Sequence, residues 1–129
     1  MNVAGQRILV VEDNELNLKL VRDVLSFAGY HVVEARTGEQ GVALASECCP
    51  DLVLMDLQLP GIDGTEALRQ LRASPITMTV PVVAVTAFAM SADREQAFRS
   101  GFDGYMTKPI STRELPAQVR GFLLKGTDE

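Results

Sequence analysis

The chain has 129 residues, a net charge of −5, and hydrophobic and charged fractions of 47% and 22%. That length suits one domain with its own core, and that composition excludes disorder over the main body. With no clustered basic run, nucleic acid is not an expected partner. No apolar stretch approaches the roughly 20 residues that span a bilayer. Met1 to Arg7 lacks a basic region followed by an apolar one, so a cytoplasmic location is expected.

The elements alternate strand and helix five times. Arg7-Ile8-Leu9-Val10-Val11 is the first strand and ends in Glu12-Asp13. The first helix is expected from about Asn14 to Ala28. Leu16, Leu20, Val24 and Phe27 recur at helical spacing, with Val21 and Leu25 beside them. Asn14 reads as its N-cap and Gly29 as its stop. His31 to Ala35 is the second strand. Thr37 to Gln40 reads as a capping box for a second helix carrying Val42, Ala43, Leu44 and Ala45. Cys48-Cys49 falls at that helix's end. Neighbouring cysteines bridge only with strain, and no His or further Cys lies nearby for a metal, so both are read as ordinary free thiols.

Asp51-Leu52-Val53-Leu54-Met55 is the third strand and ends in Asp56. A loop rich in breakers, Leu57 to Gly64, follows and is expected to leave Asp56 accessible. The third helix, Thr65 to Arg72, places Leu68 and Leu71 on one side. Ser74 to Thr79 connects to a fourth strand, Val80 to Val85, which ends in Thr86. A weak helix from about Ser91 to Arg99 stops at Gly101, and Ala87, Ala89 and Ala92 make its start marginal. Gly104 to Thr107 is the fifth strand and ends in Lys108-Pro109. A capping box at Ser111 to Glu114 opens the last helix. Pro116 means that the helix either begins later than the box implies or bends there; a distorted first turn is expected, with the helix running on to about Leu124. The polar tail Lys125 to Glu129 is too short for a second domain.

Short β-branched runs between helices predict a parallel sheet, and such sheets bind ligands beyond the carboxyl ends of their strands. Glu12, Asp13, Asp56, Thr86 and Lys108 would meet there. Three carboxylates brought together repel, and a hard divalent cation relieves them. Oxygen donors suit Mg²⁺, with Mn²⁺ as a substitute, and the missing His and Cys argue against zinc. A Lys and a hydroxyl beside such a metal make a place for an anionic oxygen group, as phosphoryl transfer requires. Asp56, alone at its strand end, is the best-placed nucleophile. Taken singly, each residue is an ordinary turn former or cap. Their joint placement at strand ends is what points to chemistry.

Val10-Val11-Glu12-Asp13-Asn14, Asp51 to Asp56, Pro81 to Ala87 and Tyr105-Met106-Thr107-Lys108-Pro109 together resemble the receiver domain of two-component response regulators. The resemblance covers about Arg7 to Leu124, within one domain spanning 1–129. Glu12 to Asn17 and Thr86-Ala87-Phe88-Ala89-Met90 further resemble stand-alone receivers of the DivK type. The resemblance implies an α/β fold: a single doubly wound, flavodoxin-like (βα)5 three-layer sandwich with parallel strand order 2-1-3-4-5. It implies that Asp56 accepts the phosphoryl group. Asp13, Asp56 and the backbone carbonyl of Gln58 would ligate Mg²⁺, with Glu12 acting through metal-bound water. Lys108 would pair with the phosphoryl group, and its bond to Pro109 is expected to be cis. Thr86 would bind a phosphoryl oxygen and the Ala87 N–H another. Tyr105 would be an aromatic switch; as a half-buried strand residue it would need no such role.

The expected function is therefore a single-domain response regulator rather than an enzyme in the usual sense. It would catalyse only its own phosphorylation and slow dephosphorylation. Its donor must be external, because the only histidine, His31, starts a strand at the opposite edge. A sensor histidine kinase or a histidine phosphotransfer protein fits. Phosphorylation would bias a surface built from the fourth helix, fifth strand and last helix, read by a downstream protein target. A monomer or weak dimer is expected, with no membrane partner. Two other readings compete. A Mg²⁺-dependent aspartyl-phosphate phosphatase needs a proton donor near its nucleophile, and Gln58 is a poor one. A degenerate receiver, never phosphorylated, conflicts with the intact set Asp13, Asp56, Thr86 and Lys108.

Overall fold

Five apolar runs become parallel strands because a helix follows each of the first four and carries the chain back to the starting edge. The computed structural model describes residues 5–87 and 91–127. Phe88, Ala89 and Met90 of the DivK-type motif lie outside the described residues, as do residues 1–4 and 128–129. The order is β1 (Arg7–Val11), α1 (Glu15–Phe27), β2 (His31–Ala35), α2 (Gly38–Cys48), β3 (Leu52–Asp56), α3 (Gly64–Ala73), β4 (Val82–Thr86), α4 (Ser91–Ser100), β5 (Gly104–Thr107) and α5 (Leu115–Thr127). The strands lie in the order β2-β1-β3-β4-β5, all parallel, as expected for the doubly wound fold.

Side chains alternate across each strand, so the sheet builds two cores. Ile8, Val10, Leu52, Leu54, Val83, Val85 and Met106 face α1 and α5, where Leu18, Val21, Leu25, Leu115, Val119 and Leu123 meet them. Leu9, Val11, Val53, Met55, Val82 and Ala84 face the other way, onto Ala45 of α2, Ala67, Leu68 and Leu71 of α3, and Ala97 of α4. Among the described residues no helix is long and apolar enough to cross a membrane.

Local signals hold at several ends. The Asn14 side chain accepts the Asn17 N–H at 2.9 Å, and Gly29 takes φ 101° after the last turn of α1. Thr37 Oγ1 accepts the Gln40 N–H at 3.0 Å. The reciprocal half of that capping box differs: Gln40 Oε1 accepts from the Arg36 N–H, one residue before the cap. Cys48 closes α2, and Cys49 caps it in the left-handed region at φ 49°; both thiols are free.

Three expectations change. The buried stripe of α1 is Leu18, Val21 and Leu25, with Val24 packed beside it. Leu16 and Phe27 are 76% and 96% exposed, and Leu20 also faces solvent. The spacing Leu16, Leu20, Val24, Phe27 is helical, but the face that the sheet covers is centred on Leu18, Val21 and Leu25; Val21 and Leu25 were expected beside the stripe, and Leu18 was not. The strand limits also move. β3 and β4 include Asp56 and Thr86 as their last residues, so both are held by the sheet. Finally, α5 begins at Leu115 and extends to Thr127, past the expected end. Ser111 Oγ accepts the Glu114 N–H at 3.3 Å and the Leu115 N–H reaches Ser111 O at 2.9 Å. Pro116 therefore falls in the first turn, where a missing N–H is least harmful.

Candidate functional site

The parallel register sets where each side chain emerges. β1 pairs with β3 so that Val11 lies opposite Met55, which brings Glu12 and Asp56 side by side at the next step. The backbone bonds continue past the strands. Leu57 N–H donates to Val85 O at 3.0 Å, and Lys108 N–H donates to Thr86 O at 2.8 Å. The first fixes the exit of β3 against β4, and the second fixes Lys108 beside Thr86.

Glu12, Asp13 and Asp56 each offer an oxygen, and these oxygens lie within 4.8 Å of one another. Glu12 and Asp56 are buried, at 4% and 3% exposure, while Asp13 is exposed at the mouth. Lys108 Nζ bridges the buried pair, 2.7 Å from Glu12 Oε1 and 2.9 Å from Asp56 Oδ2. The other oxygen of Asp56 accepts the Gln58 N–H at 2.9 Å. Glu12 Oε2 accepts the Asn14 N–H at 3.1 Å, so the N-cap residue of α1 also orients the acid beside it.

The electrostatics follow from burial and partners. Burial pushes the Glu12 carboxyl above the ordinary carboxylate range, against the pull of Lys108 and the Asn14 N–H; the neighbouring Asp56 charge adds to the rise. Burial would lower Lys108, but its hydrogen bonds to Glu12 and Asp56 outweigh that, and the ammonium is held above its usual range. Lys108 is thus a fixed cation that cannot neutralise three acids alone.

An all-oxygen set of this kind fits a hard divalent cation. Glu12, Asp13 and Asp56 could hold one, and Asp13 makes no ion pair among the described residues that would compete for it. The chemistry such an ion supplies is charge neutralisation next to Asp56.

The remaining predicted residues fall around this centre. Thr86 is fully buried at the end of β4, and Ala87 follows at an exposed position. The peptide bond between Lys108 and Pro109 is cis, as expected. Tyr105 is half-buried on β5, opposite Ala84, with the Arg94 guanidinium 5.6 Å from its ring centre. Burial, then the nearby Asp93 charge, raises the Tyr105 hydroxyl, which stays protonated at neutral pH. His31 is exposed at the amino end of the edge strand β2, away from the acids.

Asp56 is less open than the loop composition suggested. Gly64 packs so closely that a Cβ there would lie 2.6 Å from Asp56 O, and the Gly64 N–H donates to Leu57 O at 3.3 Å. The loop therefore folds back over the strand end and does not splay away. Two features were not read from the sequence. One is a cleft of about 330 Å³ beside Lys108, walled by Asn17, Leu20, Val21, Ala87, Pro109 and Ile110. The other is the docking of the loop after Asp56 onto the start of α2, through Gly38 and Glu39. No sequence signal pointed to the first, since Leu20 read as part of the packed face of the first helix. The glycine pair Gly38 and Gly61 was a signal for the second.

A family model for the response regulator receiver domain matches residues 8–120. The chain is 41% identical over 116 residues to the polar-differentiation response regulator DivK of Brucella ovis, covering 90% of this chain and 94% of the relative. Among solved structures it is similar to the receiver domain of the sensor histidine kinase PA1611 from Pseudomonas aeruginosa PAO1. That match has 38% identity and a TM-score of 0.85, covering 93% of this chain and 98% of the other, which has a magnesium ion coordinated in its active-site cleft. A CheY-like response regulator receiver domain protein from Methanospirillum hungatei JF-1 matches at 29% identity and a TM-score of 0.85, over 97% and 98% of the two chains.

Proposed function

The chain belongs to the response regulator receiver domain family of two-component signalling, and on that premise we propose that it accepts a phosphoryl group on Asp56 in a Mg²⁺-dependent reaction. The observation that carries this reading is the cluster itself: three carboxylates within 4.8 Å of one another, two of them bridged by Lys108. The bound ion would neutralise charge between the incoming phosphoryl group and the carboxylates. Asp13, Asp56 and the Gln58 carbonyl would hold it, and Glu12 would act through water.

The transfer balances simply. A carboxylate oxygen of Asp56 forms a bond to phosphorus as the phosphorus–nitrogen bond of a phosphohistidine breaks. The imidazole nitrogen keeps the electron pair and takes a proton. Lys108, held positive, stays beside the product's charge. The Thr86 hydroxyl and the Ala87 N–H each take a phosphoryl oxygen. Thr86 and Tyr105 then act as the switch, with Arg94 as the partner Tyr105 leaves or keeps, across α4, β5 and α5.

The donor is a sensor histidine kinase or a histidine phosphotransfer protein. The cleft beside Lys108 supports that reading, since it offers apolar surface next to the acceptor for a protein donor. Output is a change of affinity for a downstream protein, or onward relay of the phosphoryl group. Residues 1–129 act as one receiver unit, cytoplasmic, monomeric or weakly dimeric. With Mg²⁺ and a phosphorylated histidine donor, Asp56 becomes labelled and Asp56→Asn does not. Equal labelling of that variant would remove the assignment.

A further inference from the structure

The loop from Leu57 to Asp63 is fastened at both ends and at its middle. At its ends, the Leu57 N–H donates to β4, and the Gly64 N–H closes back onto Leu57 O. At its middle it leans on α2, an element with no part in the carboxylate cluster. Glu39 is in the first turn of α2, where a carboxylate also suits the positive end of the helix dipole. Its Oε2 accepts the Ile62 N–H at 3.4 Å. The same oxygen lies over Gly61, where an added Cβ would be only 2.7 Å away. Gly61 has φ 74°, so glycine suits both the turn and the close approach. One residue earlier, a Cβ on Gly38 would lie 2.7 Å from Ile62 Cγ1 and 2.9 Å from Ile62 O. Two missing side chains and one carboxylate thus let the loop sit down on α2.

We propose that Glu39 is a positioning residue for the cation site: with Gly38 and Gly61 it clasps the β3–α3 loop and so holds Gln58 against Asp56. This rests on the reading of Asp13, Asp56 and Gln58 as the cation's holders. Gln58 is the loop residue that touches the cluster, through its N–H to Asp56 Oδ1. It has no direct bond to α2, so its placement depends on how the rest of the loop is seated. Between Gln58 and the clasp lie only Leu59 and Pro60, and Pro60 restricts the residue before it as well as itself. A shift at Gly61 is therefore passed to Gln58 with little slack. Outer contacts that orient metal ligands typically change affinity by 10–100-fold when lost.

Charge must be separated from position, because removing any nearby carboxylate weakens a cation's attraction. Glu39→Ala removes both the charge and the acceptor. Glu39→Gln removes the charge and keeps an acceptor oxygen for the Ile62 N–H. Gly38→Ala keeps the charge and pushes Ile62 off its seat. Mg²⁺ affinity is measured by calorimetric titration of the full chain. The Gln58 amide resonance is followed in parallel, and the melting temperature without Mg²⁺ checks the fold. The expected result is about a tenfold loss of Mg²⁺ affinity for Glu39→Ala and a similar loss for Gly38→Ala. Glu39→Gln should stay within about twofold of the parent, and the Gln58 amide should move only where affinity falls. Unchanged affinity in Glu39→Ala or in Gly38→Ala overturns the clasp, and so does a loss in Glu39→Gln equal to that of Glu39→Ala. Asp13→Asn separates the two levels. If it binds Mg²⁺ as the parent does, the cation site itself is misassigned. If it loses binding while Glu39→Ala does not, only the clasp is wrong.

Discussion

The two ends of the sheet both use charged side chains, in opposite ways. At the amino end, Arg72 is the fastener. Its guanidinium reaches Val80 O at 2.6 Å, Met78 O at 3.2 Å, Gly101 O at 3.3 Å and Asp103 Oδ2 at 2.7 Å. Asp103 also accepts the Val82 N–H at 2.8 Å. One base meets one acid, and the spare donors are absorbed by carbonyl oxygens that would otherwise end the turns unpaired. At the carboxyl end, one ammonium faces three carboxylates, two of them buried. A balanced ion pair ties loops together. A surplus of one sign stays unsatisfied until something from outside completes it.

That contrast can be tested, beginning where the effect is largest. Lys108→Met leaves Glu12 and Asp56 buried without their cation. It should cost about 3 kcal/mol of metal-free stability, as losing one partner of a buried pair does. Added Mg²⁺ should recover part of it by mass action, visible as a rise in melting temperature with Mg²⁺ concentration. Arg72→Ala should cost about 2 kcal/mol through its orphaned carbonyls and Asp103. Its melting temperature should respond to Mg²⁺ as the parent's does, and its rate of phosphoryl acceptance should be unchanged. A Mg²⁺ response lost in Arg72→Ala would mean that the two ends are not separate. Asp13→Asn should work in reverse. Easing the repulsion should raise metal-free stability by up to about 1 kcal/mol while weakening Mg²⁺ binding.

The smallest effect belongs to an exposed pair in neither group. Glu66 on α3 is held down to about 2 by hydrogen bonds from Arg69, then Gln70. A depressed carboxylate contributes stability that is present above its unfolded value, near 4.5, and is lost as pH falls towards 2. Glu66→Gln should therefore be slightly less stable than the parent at neutral pH, and the difference should shrink as pH falls from near 4.5 towards 2. A difference of the same size at pH 7 and near pH 2 would show that charge is not its source.

The legible parts of the molecule are those where one residue decides. Strand ends, Asn14 and Thr37 as caps, Gly29 as a stop, and the convergence of Glu12, Asp13, Asp56, Thr86 and Lys108 all follow from residue type and order. Leu16 and Phe27 were harder, because periodicity gives a helix without its rotation. Only packing against the sheet tells Leu18 from Leu16. The seat of the β3–α3 loop was hidden for a related reason. Gly38 and Gly61 are 23 residues apart, and their shared purpose appears only once α2 and the loop are neighbours. Pro116 was legible as a problem with two solutions, a later start or a bend, and only the packed helix chooses between them: the first turn of α5 starts three residues later than its capping box implies.

The bond from the Lys108 N–H to Thr86 O makes one reporter available without any mutation. It extends the β4–β5 ladder by one step, so that amide should exchange with solvent deuterium on the slow timescale of the sheet. The neighbouring Leu57 amide, bonded to Val85 O, should behave alike. Occupation of the site from outside should slow both clocks together if the strand ends move as one body. If they move separately, the two rates will part, and a pair of backbone protons will have timed the event.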